Sequence, residues 1–148
     1  MLIEILRSLF NRDLNKLKEE IEVYQTENQL WVVDQNIANS AGNLCLHLIG
    51  NLNTYIGAEL GKTGYVRNRP LEFSSKDVRK DQLIAKIEET ILMVNNILDV
   101  LTETDLEAIY PQIVFEKEMK TGFFMVHLST HLAYHLGQIN YHRRMLDF

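Results

Sequence analysis

The residues best suited to chemistry in this 148-residue chain are its five histidines, which all fall in two segments without Asp, Glu, Lys or Arg. Residues 121–142 contain four of them, and three are spaced four apart: His127, His131 and His135. Positions four apart lie on one face of an α-helix, so two such imidazoles can point ring nitrogens at one metal ion. Such a pair needs a further ligand, and His47 is the only histidine of the other uncharged segment, residues 35–58.

Spacing alone leaves two interpretations of these histidines open. Three neutral imidazoles plus water form an open site of the catalytic type, which suits zinc, nickel or ferrous iron. Buried histidines that only hydrogen-bond to carbonyl or carboxylate groups give the same pattern. A helical wheel directs His131 and His135 toward the apolar side of their helix and places His127 at its edge.

Two side-chain amides lie where they could orient a histidine. Asn51 follows His47 by one helical turn, and Gln138 follows His135 by a similar distance. Either amide oxygen can accept the second N–H of the neighbouring imidazole and fix its tautomer. The alternative is that both amides only satisfy each other or backbone groups in a polar core.

A glycine- and serine-containing stretch, residues 61–75, predicts a loop that carries Arg67 and Arg69. These two arginines are candidates for holding a carboxylate or phosphate at the mouth of a pocket. Alternate arginines in a loop can instead be solvated or paired with surface carboxylates. The single cysteine, Cys45, lies two residues from His47, so we expect it to face away as a small core residue.

Hydrophobic periodicity predicts four long helices, at about residues 2–25, 40–60, 78–101 and 121–146. Ser40 is a candidate N-cap for the second helix. Residues 102–120 predict a connection with one helical turn near Asp105, and the segment around Leu30 is too short to assign and could be extended. We therefore predict an all-α four-helix bundle that forms one domain over residues 1–148.

Composition argues against several classes of protein. The chain has 15 Lys and Arg against 20 Asp and Glu, and a net charge of -5 does not suit a dedicated nucleic-acid binder. Both uncharged segments carry Asn or His side chains that are costly in lipid, so we expect no membrane span. Glu4 and Arg7 interrupt the first apolar stretch, and one cysteine cannot form an internal disulfide. We therefore expect a cytoplasmic protein.

Two motifs give the chain a resemblance to the DinB-like superfamily of metal-dependent proteins. The first is Asn-Ser-Ala-Gly-Asn-Leu-Cys-Leu-His-Leu-Ile-Gly-Asn-Leu at residues 39–52, and the second is His-Leu-Ala-Tyr-His-Leu-Gly-Gln-Ile at residues 131–139. The resemblance implies a four-helix bundle with a metal held by His47, His131 and His135. It makes His127 a neighbour of the metal rather than a ligand.

The same resemblance implies expectations about activity and assembly. Characterised relatives transfer or isomerise groups with low-molecular-weight thiols such as bacillithiol or mycothiol, and many form homodimers. The subfamily that this chain looks most like has no assigned reaction. Its arginine loop often reads Arg-Asp-Arg-Asp followed by Glu-Phe, whereas Asn68 and Pro70 replace both aspartates here.

These observations lead to a principal hypothesis and three alternatives. The principal one is a divalent-metal-binding protein that acts as a thiol S-transferase on small electrophilic substrates. Arg67 or Arg69 would then hold an anionic thiol or substrate, and His127 would be a general base or proton shuttle. The alternatives are a metal-dependent hydrolase, a non-catalytic stress-related metal-binding or interaction module, and a metal-free bundle with a pH-sensitive histidine core.

Overall fold

The computed structural model describes residues 1–148 and contains six α-helices, one of them composite, and a 3-10 helix. Four are long or composite: α1 (Leu2–Glu22), α2 (Ala41–Leu52), α4 (Lys80–Val100) and α6 (Thr121–Leu146). Two are short: α3 (Arg69–Ser74) and α5 (Glu103–Glu107). Helix α2 continues through a π-helical turn, Asn53–Ala58, into a last α-helical turn, Glu59–Gly61.

The long helices pack together as an all-α bundle, which confirms the predicted fold class. Helix α1 packs along α4 and α6, while α2 packs against α6, α4 and the short α3. The face of α1 that enters the core carries fully buried apolar side chains at helical spacing: Leu6, Phe10, Leu14, Leu17 and Ile21. The core is therefore built from one apolar stripe per helix.

Helix α2 is the most deeply buried element and carries His47. Eleven of its 12 residues are buried, which is why this stretch contains no charged side chain. Ser40 caps its N-terminus as predicted, and its hydroxyl accepts a hydrogen bond from the backbone N–H of Asn43. None of the helices of the bundle combines the length and hydropathy that crossing a bilayer requires.

Two connections differ from the sequence-based expectation. The stretch at residues 61–75 is not a loop throughout, because α3 begins after Asn68, whose side chain caps the backbone N–H of Leu71. The segment near Leu30 forms a 3-10 helix, Glu27–Trp31, rather than an extended segment. The single turn expected near Asp105 is present as α5, where Thr102 and Asp105 form a capping box.

Candidate metal centre

Helices α2 and α6 bring the ring nitrogens of three histidines to one point. The Nε2 atom of His131 lies 3.3 Å from Nε2 of His47 and 3.1 Å from Nε2 of His135. The potential ligand atoms of the three residues all lie within 4.8 Å of one another, the spacing expected of side chains that share one ion. We call these three residues the histidine triad.

The outward nitrogens of two triad members are hydrogen-bonded, and these bonds fix their tautomers. Nδ1 of His47 lies 3.1 Å from Oε1 of Glu72. A carboxylate can only accept, so Nδ1 donates and Nε2 of His47 carries a lone pair. Nδ1 of His135 likewise donates to Oε1 of Gln138 at 2.7 Å, which leaves a lone pair on its Nε2. Two lone pairs therefore converge on His131.

The triad suits a cation better than it suits any internal hydrogen-bond pattern. One hydrogen on Nε2 of His131 can satisfy only one of the two facing lone pairs well, whereas a cation satisfies all three nitrogens together. Nδ1 of His131 is buried and has no hydrogen-bond partner. The donor set, three imidazoles with no carboxylate among them, is one that zinc, nickel and ferrous iron accept.

Burial favours the neutral, metal-binding form of two members of the triad, His47 and His131. Desolvation lowers the pKa of His47 despite the opposing influence of Glu72. Desolvation is also the largest cause at His131, where the proximity of the other histidines and of Arg67 further disfavours protonation, and together they lower the pKa to about 4. At neutral pH a metal would therefore displace no proton from His131.

Glu72, in α3, holds His47 and is itself held by Arg67. Its carboxylate accepts two hydrogen bonds from Arg67, one from Nε at 2.8 Å and one from a terminal nitrogen at 2.9 Å. The Glu72 side chain is only 7% exposed, so this two-point ion pair compensates a buried charge. Asn43 of α2 also donates to the backbone carbonyls of Glu72 and Ser75, which fastens α3 to α2.

Gly50 makes room for the Glu72 carboxylate. A Cβ atom at position 50 would lie 2.0 Å from Oε2 of Glu72, far inside van der Waals contact. Gly137, two residues beyond His135, has no such neighbour within 4 Å, so it does not mediate a close helix contact. Of these two helical glycines, only Gly50 therefore allows a close contact, and that contact is with a side chain.

Comparisons with known proteins place this chain in a family. Residues 2–147 match the family described as "Protein of unknown function (DUF1572)". The chain belongs to the DUF1572 family. No curated protein matches it. Among solved structures, the one described as the conserved protein of locus from Enterococcus faecalis has 15% identity and a TM-score of 0.76, over 97% of this chain and 95% of the other. At 15% identity, this similarity shows only that the two proteins share a fold.

The two arginines of the DUF1572 chain occupy different environments. Arg67 is half-buried and engaged with Glu72, whereas Arg69 is exposed and makes no ion pair. Its guanidinium carbon lies 5.5 Å from the ring centroid of Phe73. Both arginines line a cavity of about 420 Å³ that also reaches His47 and His131, which we call the arginine cavity. Its lining contains no Asp or Glu.

The other predicted site residues of the DUF1572 chain lie at or near the triad. Gln138 bonds His135 as described above. Asn51 is buried and lines the arginine cavity, but its Oδ1 has no hydrogen-bond partner. Glu72 therefore takes the contact with His47 that was expected of Asn51. His127 lines the same cavity, and its ring centroid is 6.2 Å from that of His131 and 4.7 Å from that of Phe115.

Cys45 and His142 also lie in the uncharged segments, but outside the triad. Cys45 is fully buried on the core side of α2, and burial raises the pKa of its thiol to about 12. His142 is a structural histidine: its Nε2 donates to the carbonyl of Val32 at 2.7 Å, and its Nδ1 accepts from the Tyr24 hydroxyl at 2.6 Å. Only three of the five histidines thus converge.

Proposed function

We propose that this DUF1572 member is a divalent-metal-binding protein of the DinB-like type whose ion is held by His47, His131 and His135. The observation that carries the proposal is the convergence of three Nε2 atoms, two of which are fixed as acceptors by Glu72 and Gln138. The neutral state of the buried imidazoles supports it further. A bound divalent cation would lower the pKa of a thiol or a water molecule that reaches it.

The titration of metal-free protein with Co²⁺ tests this proposal. A site made of three imidazoles should give visible d–d absorption that saturates near one equivalent, because low-symmetry nitrogen coordination intensifies these bands. His131→Ala should abolish the absorption. His127→Ala is the matched control, since His127 is on the same helix one turn away and makes no contact with the triad's shared point. Absorption that survives in His131→Ala would remove the proposal.

We further propose that the activity is thiol-dependent S-transfer to a small electrophile. The arginine cavity supports it, because the unpaired charge of Arg69, in a cavity whose lining contains no Asp or Glu, suits an anionic thiol, whereas the charge of Arg67 is compensated by Glu72. In the reaction, the thiol sulfur forms a bond to an electrophilic carbon, the bond from that carbon to the leaving group breaks, and the leaving group departs with the electron pair. His127, in the same cavity, is placed to receive the thiol proton.

Turnover of the zinc-loaded protein with a bacillithiol- or cysteine-type thiol and chlorodinitrobenzene tests this activity. Product should form only with thiol present, and His127→Gln should lower kcat by about 10²-fold or more, the usual contribution of a general base. Hydrolysis of ester substrates without thiol would favour the metal-dependent hydrolase. A metal-loaded protein that gives neither reaction but gains thermal stability would favour the non-catalytic binding module.

We also propose that the protein forms a homodimer through the outer face of α6. Large apolar side chains on this helix are exposed, notably Phe123 at 64% and Val126 at 41%, and Ala133 lies on the same side two turns beyond Val126. No charged residue interrupts the helix between residues 121 and 142. Unpartnered apolar surface of this kind is typical of an interface. Sedimentation velocity on wild type and on Ala133→Arg should show a dimer in the first and a monomer in the second.

A further inference from the structure

A second cavity, of about 480 Å³, reaches the histidine triad from the other direction along α6. The arginine cavity contacts the helix from Phe124 to His131, whereas this second cavity contacts it from Tyr134 to Met145. His135 lines the second cavity and His131 lines the first. Since the Nε2 atoms of these two histidines are 3.1 Å apart, both cavities end at the same place.

The chemistry of the second cavity is opposite to that of the arginine cavity. Its lining contains no Asp, Glu, Lys or Arg; six of its eleven residues are apolar or aromatic, namely Ile37, Ala38, Leu44, Tyr134, Tyr141 and Met145, and the polar ones are uncharged amides and histidines: Asn36, Asn39, His135, Gln138 and His142. We call it the apolar cavity. Tyr134, Tyr141 and Met145 remain more than half exposed although they border a concave surface. A volume of this size falls in the range of small-molecule sites, and a charged ligand would find no counter-charge there.

Among the amides that line the apolar cavity, Gln138 is the one that contacts the triad. Its Oε1 accepts from Nδ1 of His135, which fixes the orientation of the amide. The amide nitrogen makes no hydrogen bond within the protein, so its N–H groups are available to a ligand in the cavity. An acceptor oxygen, such as the carbonyl of a ketone, complements them. The cavity thus recognises an apolar molecule with a hydrogen-bond acceptor at one end.

We propose that the apolar cavity binds a neutral aromatic carbonyl compound that carries a leaving group on the carbon next to its carbonyl, which is the electrophilic co-substrate of the proposed thiol transfer; the sulfur bonds to that carbon as the leaving group departs with the electron pair. This inference rests on the proposed function for the role of the ligand, whereas the binding itself rests on the cavity alone. The anionic thiol occupies the arginine cavity and the neutral partner occupies the apolar cavity. The two reactants then meet at the triad from two sides, and their charges decide which cavity each one enters.

Binding of two probes that differ in charge tests the proposal. The neutral probe is 4-fluoroacetophenone and the anionic probe is 4-fluorobenzoate, both titrated by fluorine NMR into zinc-loaded protein. Ala38→Trp fills the apolar cavity from an exposed loop position, and Ala38→Ser is its matched control. Arg69→Gln removes the free charge of the arginine cavity.

A crossed pattern of losses is expected. Ala38→Trp should weaken ketone binding about tenfold and leave benzoate binding unchanged. Arg69→Gln should weaken benzoate binding about tenfold and leave ketone binding unchanged. Met145→Ala removes one wall of the apolar cavity and should weaken the ketone about threefold, which keeps the test valid should Ala38→Trp fold poorly. Ketone binding that Ala38→Trp and Met145→Ala leave unchanged would overturn the proposal.

Two further measurements on the same samples separate the possible failures. If Ala38→Trp changes only the sedimentation coefficient and the ketone never binds, the cavity is covered by a second copy of the chain and the proposal is overturned. If the wild-type protein binds the ketone but takes up no zinc, the assignment of the apolar cavity stands and the proposed metal function is wrong. If the protein binds zinc but not the ketone, the proposed metal function stands and the assignment of the apolar cavity is wrong.

Discussion

Nδ1 of His47 lies 3.1 Å from Oε1 of Glu72, a residue 25 positions later in the chain. This contact joins the most buried helix of the bundle to the short helix α3. It sets the tautomer of His47, and Arg67 in turn holds the carboxylate through two hydrogen bonds. The geometry of the histidine triad therefore depends on a residue outside the triad.

We expect Glu72→Gln to weaken zinc binding by about 10- to 100-fold, the usual effect of losing a carboxylate behind a ligand histidine. The amide keeps the size of the side chain but removes the charge that Arg67 compensates and that favours the N–H of His47. Competition with a chromophoric chelator measures the dissociation constant. Glu118→Gln, an exposed glutamate without an ion pair, is the control. Equal affinities in the two variants would show that Glu72 does not support the site.

Gly50→Ala and Gly137→Ala form a matched pair of glycine substitutions within helices. The alanine methyl at position 50 would overlap the Glu72 carboxylate, so we expect a loss of about 1–3 kcal/mol in unfolding free energy and weaker zinc binding. At position 137 the methyl meets no atom within 4 Å, so the higher helix propensity of alanine should raise stability by up to about 1 kcal/mol. Urea unfolding measures both changes. A Gly50→Ala protein as stable as wild type would contradict the close packing.

The sequence allows the long helices and the His131–His135 pair to be predicted because both depend on local periodicity, whereas the addition of His47 depends on the resemblance to the DinB-like superfamily. Helix α6 ends at Leu146, close to the boundary that its apolar spacing predicts, and the wheel already directs His131 and His135 inward. The hydrogen-bond partner of His47 could not be predicted in this way, because Glu72 reaches His47 only through the position of α3. That helix has six residues, too few to show a period, and hydrogen bonds from Asn43 hold it in place. A helix that is held in place by contacts with a distant part of the chain leaves no recognisable pattern in the local sequence.

Arg67 and Arg69 are a second case in which the local sequence does not predict the contacts of a side chain. Alternate spacing makes Arg67 and Arg69 equivalent in the sequence, and nothing local distinguishes them. The structure separates them, because α3 turns the chain so that Glu72 meets Arg67 and not Arg69. The pairing of a loop arginine with a carboxylate was anticipated only for surface groups, whereas Glu72 is buried.

The metal-free protein should lose stability as the pH falls from about 6.5 to about 4. The pKa of His131 is lowered from 6.5 to about 4 in the folded state, mainly by burial, and those of His47 and His142 are lowered in the same direction. In this window the unfolded chain therefore binds more protons, so acid favours unfolding. The stabilisation is complete above the unfolded pKa and is lost as the pH falls through the folded one.

Urea midpoints measured in chelator at several pH values test this dependence. His131→Leu should show a shallower decline than wild type, because it removes one group whose pKa is lowered. His142→Leu serves as a second comparison outside the triad. A wild-type midpoint that stays constant between pH 6.5 and 4 would contradict the assignment of neutral, buried histidines.

The Cys45 thiol should be inert in the native protein. It is completely buried, and its pKa of about 12 leaves almost no reactive thiolate at neutral pH. We expect no reaction with dithionitrobenzoate until the chain is unfolded, when one equivalent should react. Fast modification of the native protein would show that α2 opens, and it would make Cys45 a competing site for metal.

The most direct test of the metal centre is the metal content of tag-free protein, measured by plasma mass spectrometry after reconstitution and desalting. The account predicts about one equivalent of zinc, nickel or iron per chain in wild type and in His127→Ala. It predicts less than about a tenth of that amount in His47→Ala, His131→Ala and His135→Ala. Wild type without metal, or metal retained in the three triad variants, would contradict the assignment of the triad as a metal site.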